Sequence, residues 1–395
     1  MSKKLLLSFV AALTMTMLFT GCGKKEEASA EVQPPVVEKV EIVTPEPTEE
    51  PTPEPTEEPG PAIIEEREVV DGKMQSFLTG EWKDEAVVNR RPIAVMIPNN
   101  TPAMPQYGLG KASIIYEAPV EGRITRLMAV IEDFDDLDRV GPVRSSRDYY
   151  VYQAMGYQAI YCNWGLARPY VEELINRDTV QNISAAVEGI YKPANEAYGR
   201  VKREGKATEF TGYLFIDGML DAAERLGYTW EFDEQHVPPF TFAADGVLAQ
   251  SNYEDAETAT MIYPGGKESN KSGYGINNPY FEYNEEENAY YRFQDDAPQI
   301  DEFDGSQLKV SNVVFQYCHG EVRDAKDYLA FGVHGEGDAI VFTGGKVIKG
   351  KWMRYDGDAT PAKFFDENGE EVIFNQGSTW VCNIWQEYSD VVEYN

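Results

Sequence analysis

Five arginines, Arg123, Arg126, Arg139, Arg144 and Arg147, stand inside EGRITRLMAVIEDFDDLDRVGPVRSSRD at positions 121–148, in a chain of formal net charge -32. A guanidinium is a planar fork that binds phosphate or carboxylate through two parallel hydrogen bonds and stays charged at neutral pH. Arg123, Arg126, Arg144 and Arg147, with Glu121 and Asp148 beside them, are therefore a candidate anion-binding site. The pattern puts Arg123 at the start of a strand, Arg126 inside it, and Arg144 and Arg147 on a turn that enters a helix. A hairpin between strands at 124 and 140, closed by the acidic loop EDFDDLD, brings Arg123 beside Arg144 and Arg147. A helix capped by Ser145, with Asp148 three residues on, adds free backbone N–H groups there. The opposing reading is an internal network in which Glu117, Glu121 and Asp148 neutralise the same arginines. Residue types leave these two readings open.

Other chemistry is sparse. His236, His319 and His334 are scattered, and no HExxH, paired CxxC or nucleophile elbow occurs. Cys318 and His319 are strand neighbours and point to opposite faces. Asp133, Asp135, Asp136 and Asp138 could chelate Ca²⁺, but the loop lacks the glycine and closing glutamate of an EF-hand and reads better as a solvated tip. No metal and no cofactor is expected. Cys162, Cys318 and Cys382 lie in apolar strand contexts and read as buried free thiols.

These residues must be positioned by a body that begins well inside the chain. Residues 1–22 carry two lysines, an apolar run from Leu5 to Phe19 and then Gly21-Cys22, the order of a lipoprotein signal peptide in which Cys22 takes the lipid. From 23 to 75 a Pro/Glu-rich tether is expected. Its first forty positions hold eleven glutamates, three lysines and nine prolines, a composition that stays extended at about 3.1 Å per residue and spans on the order of 120 Å. An acidic body makes nucleic acid a poor partner. The expected partners are the membrane, reached through the N-terminal lipid, and a phosphate-bearing cell-wall ligand or an envelope protein.

Between 76 and 240, apolar strand runs (IAVMI, SIIYEA, ITRLMAVIED, AIYCNW, YLFI) alternate with helix candidates, which predicts an α/β N-terminal domain. From 241 to 395 the pattern turns to strand, turn, strand, a β-rich C-terminal domain with hairpins centred near 286, on Gly344-Gly345 and on Asn368-Gly369.

The strand starting at Arg91-Pro92, the PQYGL loop, EGRITR and GPVRSSR, followed late in the chain by GDAIVFTGGKVIKGKWMRYDG and FFDENGEEVIFNQGSTWVCNI, resemble the YerB-like lipoproteins of Gram-positive bacteria. That resemblance implies export, a lipid anchor on the outer face of the cytoplasmic membrane and two consecutive domains of unknown function. It implies no activity. A second, weaker resemblance is to the LytR-CpsA-Psr ligases, which move polymers from polyprenyl pyrophosphate onto the wall. Those enzymes lead an Arg-x-Asp strand through a hairpin into a PRD turn. Here Ile124-Thr125 follows Arg123, so the carboxylate that would hold a metal is missing. The primary reading is a non-catalytic binding or scaffold protein of the cell envelope, and the alternative is a transferase on polyprenyl-phosphate-linked precursors.

Overall fold

The computed structural model describes residues 63–267 and 273–395, so the expected signal peptide, Cys22 and most of the tether lie outside the described residues. The stretch from 63 to 75, expected in the tether, is part of the folded body instead. Ile63 bridges Ala243, the Ile64 amide donates to the Phe242 carbonyl at 2.9 Å, and Lys73–Gln75 pairs with Trp82–Asp84. No proline interrupts this stretch, and Ile63 and Ile64 give it apolar side chains to bury.

Ten strands form the main sheet: β1 (Ile93–Pro98), β2 (Ile114–Val120), β3 (Ile124–Ile131), β4 (Ile160–Asn163), β5 (Asn182–Ser184), β6 (Asn312–Cys318), β7 (Gly335–Thr343), β8 (Lys346–Arg354), β9 (Lys363–Asp366) and β10 (Thr379–Trp385). Their spatial order is β9-β8-β7-β6-β10-β2-β3-β1-β4-β5. β10 pairs in parallel with both β6 and β2. Strands from both sides of residue 240 thus complete one sheet. The expected third hairpin does not form around β10: Asn368-Gly369 does turn the chain, but Ile373–Phe374 beyond it pairs in parallel with Thr241–Phe242, and β10 then crosses into the middle of the sheet.

β1 is apolar and buried at every position because both faces of the sheet are covered there. Ile93, Val95 and Ile97 of β1 enter one core with Leu127, Ala129 and Ile131 of β3, while Ala94 and Met96 enter the other with Met128 and Val130. Helices α1 (Asp148–Met155) and α2 (Arg168–Ile175) cover the second core, placing Val151 and Val171 in it. α3 (Ile216–Leu226) covers the first, with Ile216 and Met219. A smaller sheet, including Met261–Tyr263, Tyr280–Asn284 and Ala289–Gln294, lays Ile262, Phe281 and Tyr290 on that same core.

The described residues are richer in sheet than in helix, 38% strand against 17% helix. The N-terminal half carries short helices on a mixed sheet in which β3 runs antiparallel to both of its neighbours. The β7–β8 hairpin turns on Gly344-Gly345 with φ of 56° and 75°, the paired left-handed conformation of a tight primed turn.

Candidate functional site

The expected hairpin between strands at 124 and 140 is replaced by a shorter one. β3 pairs with β2 through a turn of Glu121, Gly122 and Arg123, closed by the Val120–Ile124 pair, while Arg139–Val140 pairs with Gly212–Phe215. A three-residue turn containing glycine between two apolar runs was the signal in the sequence. The acidic loop is also not a bare tip: Asp135 meets Arg90 at 2.7 Å, Asp136 meets Lys111 at 3.3 Å and Asp138 meets Arg139 at 2.6 Å.

Three of the four arginines still converge, by another route. The chain from Arg144 to Ser146 crosses the carboxyl ends of β1 and β4: the Arg144 amide donates to the Met96 carbonyl at 2.9 Å, and the Ser146 amide to that of Gly165 at 2.9 Å. β1 and β4 run parallel, and the carboxyl ends of parallel strands are a common place for ligands. Arg126 enters from β3 and donates through Nη1 to the Ser145 carbonyl at 2.7 Å. Arg147 donates to that carbonyl too, at 3.4 Å, and to the Ser146 carbonyl at 2.7 Å. Ser145 does not cap the helix; the N-cap position of α1 is Arg147, with no side-chain cap hydrogen bond.

Neutralisation is uneven across the cluster. Arg147 makes a fork with Glu121, its Nε 2.8 Å from Oε1 and its Nη2 against Oε2. Burial works against its charge, but the bonds to Glu121 outweigh that and raise its pKa. Asp148 is taken by Arg323, 2.5 Å away, and Arg144 reaches Glu209 at 2.9 Å from the edge of the cluster. Arg126 is only 5% exposed and has no carboxylate partner among the described residues. Burial, then the charges of Arg147 and Arg144, pull its pKa down to about 9, so it remains a cation at neutral pH. Glu117 cannot neutralise it. In the β2–β3 register Arg126 faces Ala118, and the pleat turns Glu117 to the other side of the sheet.

On that other side Glu117 is fully buried and holds four donors: Asn99 Nδ2 at 2.9 Å, the Thr125 hydroxyl at 2.7 Å, Arg292 Nη2 at 2.7 Å and the Trp380 indole at 2.9 Å. The Arg292 guanidinium stands 4.6 Å from the Phe281 ring centre and 4.5 Å from that of Trp380. Neither this pair nor the Arg323–Asp148 pair has a local sequence signal, because their partners are distant in the chain.

Arg123 is outside the cluster. It is exposed, with φ of 60°. It has no hydrogen bond or ion pair among the described residues.

Residues 78–229 match the N-terminal domain, and residues 271–381 the C-terminal domain, of the family described as "Protein of unknown function (DUF3048)". The chain is 28% identical over 315 residues to a Bacillus subtilis (strain 168) protein named as a lipoprotein, YerB, covering 78% of this chain and 86% of the relative. The crystal structure of YerB from Bacillus subtilis superposes with a TM-score of 0.66 at 22% identity, over 81% of this chain and 99% of that one, a likeness of fold.

Proposed function

The chain belongs to the DUF3048 family across both of its domains, which supplies a fold and no activity, and we propose that it is a lipid-anchored binding protein of the cell envelope whose arginine turn captures an anionic group. A lipid on Cys22 and the Pro/Glu tether hold the body off the outer face of the cytoplasmic membrane. The name of its YerB relative supports that address. Binding takes place among Arg126, Arg144 and Arg147 at the carboxyl edge of the sheet.

The observation that carries this reading is Arg126. A buried cation with no carboxylate in direct contact costs several kcal/mol, and the charges of Arg147 and Arg144 raise that cost while Glu121 opposes them. An arriving phosphate or carboxylate offsets the Arg126 charge, which no carboxylate pairs, and accepts charge-assisted hydrogen bonds from a partly buried cluster.

Inorganic pyrophosphate, titrated by calorimetry, tests the reading. Saturable binding that weakens about tenfold or more in Arg144→Gln supports it, since one charge-assisted bond contributes roughly 1.5–3 kcal/mol. Equal affinity of the wild-type and Arg144→Gln proteins overturns it.

A further inference from the structure

We propose that the cleft between the Glu121–Arg123 turn and the end of β10 binds an acidic sugar, a pyranose ring bearing one carboxylate. The cleft has a volume of about 400 Å³ and is lined by Glu121, Arg123, Asp327, Trp385 and Tyr388, among others. That is near the small end of the roughly 300–1,000 Å³ range of ligand pockets, so the ligand is small.

Each wall supplies one part of the chemistry. Trp385 and Tyr388 stand edge to face with ring centres 5.2 Å apart, so one ring can offer a flat apolar face for the C–H face of a pyranose while the other closes its side. A side chain at Gly320 would come within 2.5 Å of the Trp385 indole nitrogen, so the neighbouring hairpin leaves the indole its place by carrying glycine there. Glu121 and Asp327 are acceptors for ring hydroxyls. Both Glu121 oxygens already receive Arg147, and each keeps a further lone pair. Arg123 is the free fork. The short β2–β3 turn holds it in a left-handed conformation that non-glycine residues adopt rarely, and no other group of the described protein takes its charge.

Charge then selects among anions. Arg147 neutralises Glu121, which leaves one free cation opposite the Asp327 carboxylate. A monocarboxylate matches a single guanidinium, and Asp327 repels a phosphate dianion about twice as strongly as a monoanion. This preference is the reverse of that at the arginine turn, where three guanidiniums converge. The cleft therefore goes beyond the reading above and does not depend on it.

The test follows the indole N–H resonance of Trp385 in the whole protein, assigned by its disappearance in Trp385→Phe, during titration with glucuronate, glucose and inorganic phosphate. Glucuronate is expected to shift the resonance saturably, glucose to bind about tenfold more weakly or worse because it lacks the carboxylate for the fork, and phosphate to leave it in place. Arg123→Gln should lower glucuronate to the level of glucose. Arg144→Gln, which weakens the arginine turn, should leave glucuronate binding intact. Absence of a saturable glucuronate shift, an undiminished affinity in Arg123→Gln, or a response to phosphate as strong as to glucuronate overturns the proposal. Loss of glucuronate binding in Arg144→Gln overturns the independence of the two sites.

Discussion

Glu117 of β2 and Arg292 of the smaller sheet meet at 2.7 Å with both side chains fully buried. They join the two halves of the chain beneath the main sheet. Glu117 has a partner for each oxygen twice over, whereas Nη1 of Arg292 has none, so the carboxylate is what makes the cation tolerable. Removing one member of a buried ion pair exposes the desolvation cost of the other. Glu117→Gln, which keeps shape and loses charge, is expected to cost about 3–5 kcal/mol, read as a lower urea midpoint at unchanged slope. A midpoint equal to wild type would contradict this account.

Arg126 should behave in the opposite way. With no carboxylate to strand, Arg126→Met is expected to raise stability by about 1–4 kcal/mol, the range seen when well-packed apolar residues replace buried charges, while abolishing pyrophosphate binding. Urea unfolding and calorimetry on the same variant check both halves of the statement. A destabilised variant would mean that the guanidinium holds the turn together through Ser145.

His236 gives the fold a pH response. Its ring stacks on Phe232 at 3.9 Å and meets Phe77 edge-on at 4.9 Å. Burial, then the charge of Arg67, lowers its pKa from 6.5 to about 4, with Asp233 opposing. Between those values the unfolded chain takes up a proton that the folded chain refuses, so stability should fall as pH drops from 6.5 to about 4. His236→Phe should lack this His236-linked fall, so the stability of the variant relative to wild type should rise as pH drops across that window, measured by thermal unfolding in a pH series.

Cys162, Cys318 and Cys382 are buried and unpaired, and burial raises all three thiol pKa values. Thiolate is the reactive form. In the Cys22→Ala protein, a disulfide reagent should therefore find no thiol in the native state and three after denaturation. Rapid modification of any one under native conditions would show local opening.

Truncation separates tether from body. Deleting residues 23–62 should leave the melting temperature unchanged, since that stretch has the composition of a spacer. Extending the deletion through Ser76 should lower it, because the Ser76 hydroxyl donates to buried Glu132 at 2.8 Å and Lys73–Gln75 pairs with Trp82–Asp84. Differential scanning calorimetry of the two deletions distinguishes the cases.

The parts of this fold written locally were readable. Apolar runs at 93–97 and 124–133 marked β1 and β3, Gly344-Gly345 marked its hairpin, and the apolar setting of the three cysteines marked their burial. The arginine turn was visible as a concentration of one residue type. What could not be read depends on distance along the chain. The Glu117–Arg292 pair, the capture of Asp148 by Arg323 and the insertion of β10 between β2 and β6 all join residues with no local trace of one another. The hairpin assigned to 124 and 140 failed for a different reason. The acidic loop looked like a hairpin tip, and the compact Glu121–Arg123 turn just upstream closed β3 onto β2 first.

The position of β10 also sets an order in time. The strand at the centre of the sheet is the last long one made, and both of its neighbours wait for it, β2 from early in the chain. Such long-range parallel pairing forms slowly. A chain built this way cannot close its main sheet until Thr379–Trp385 has been made, so β6 and β2 stay unjoined through most of synthesis.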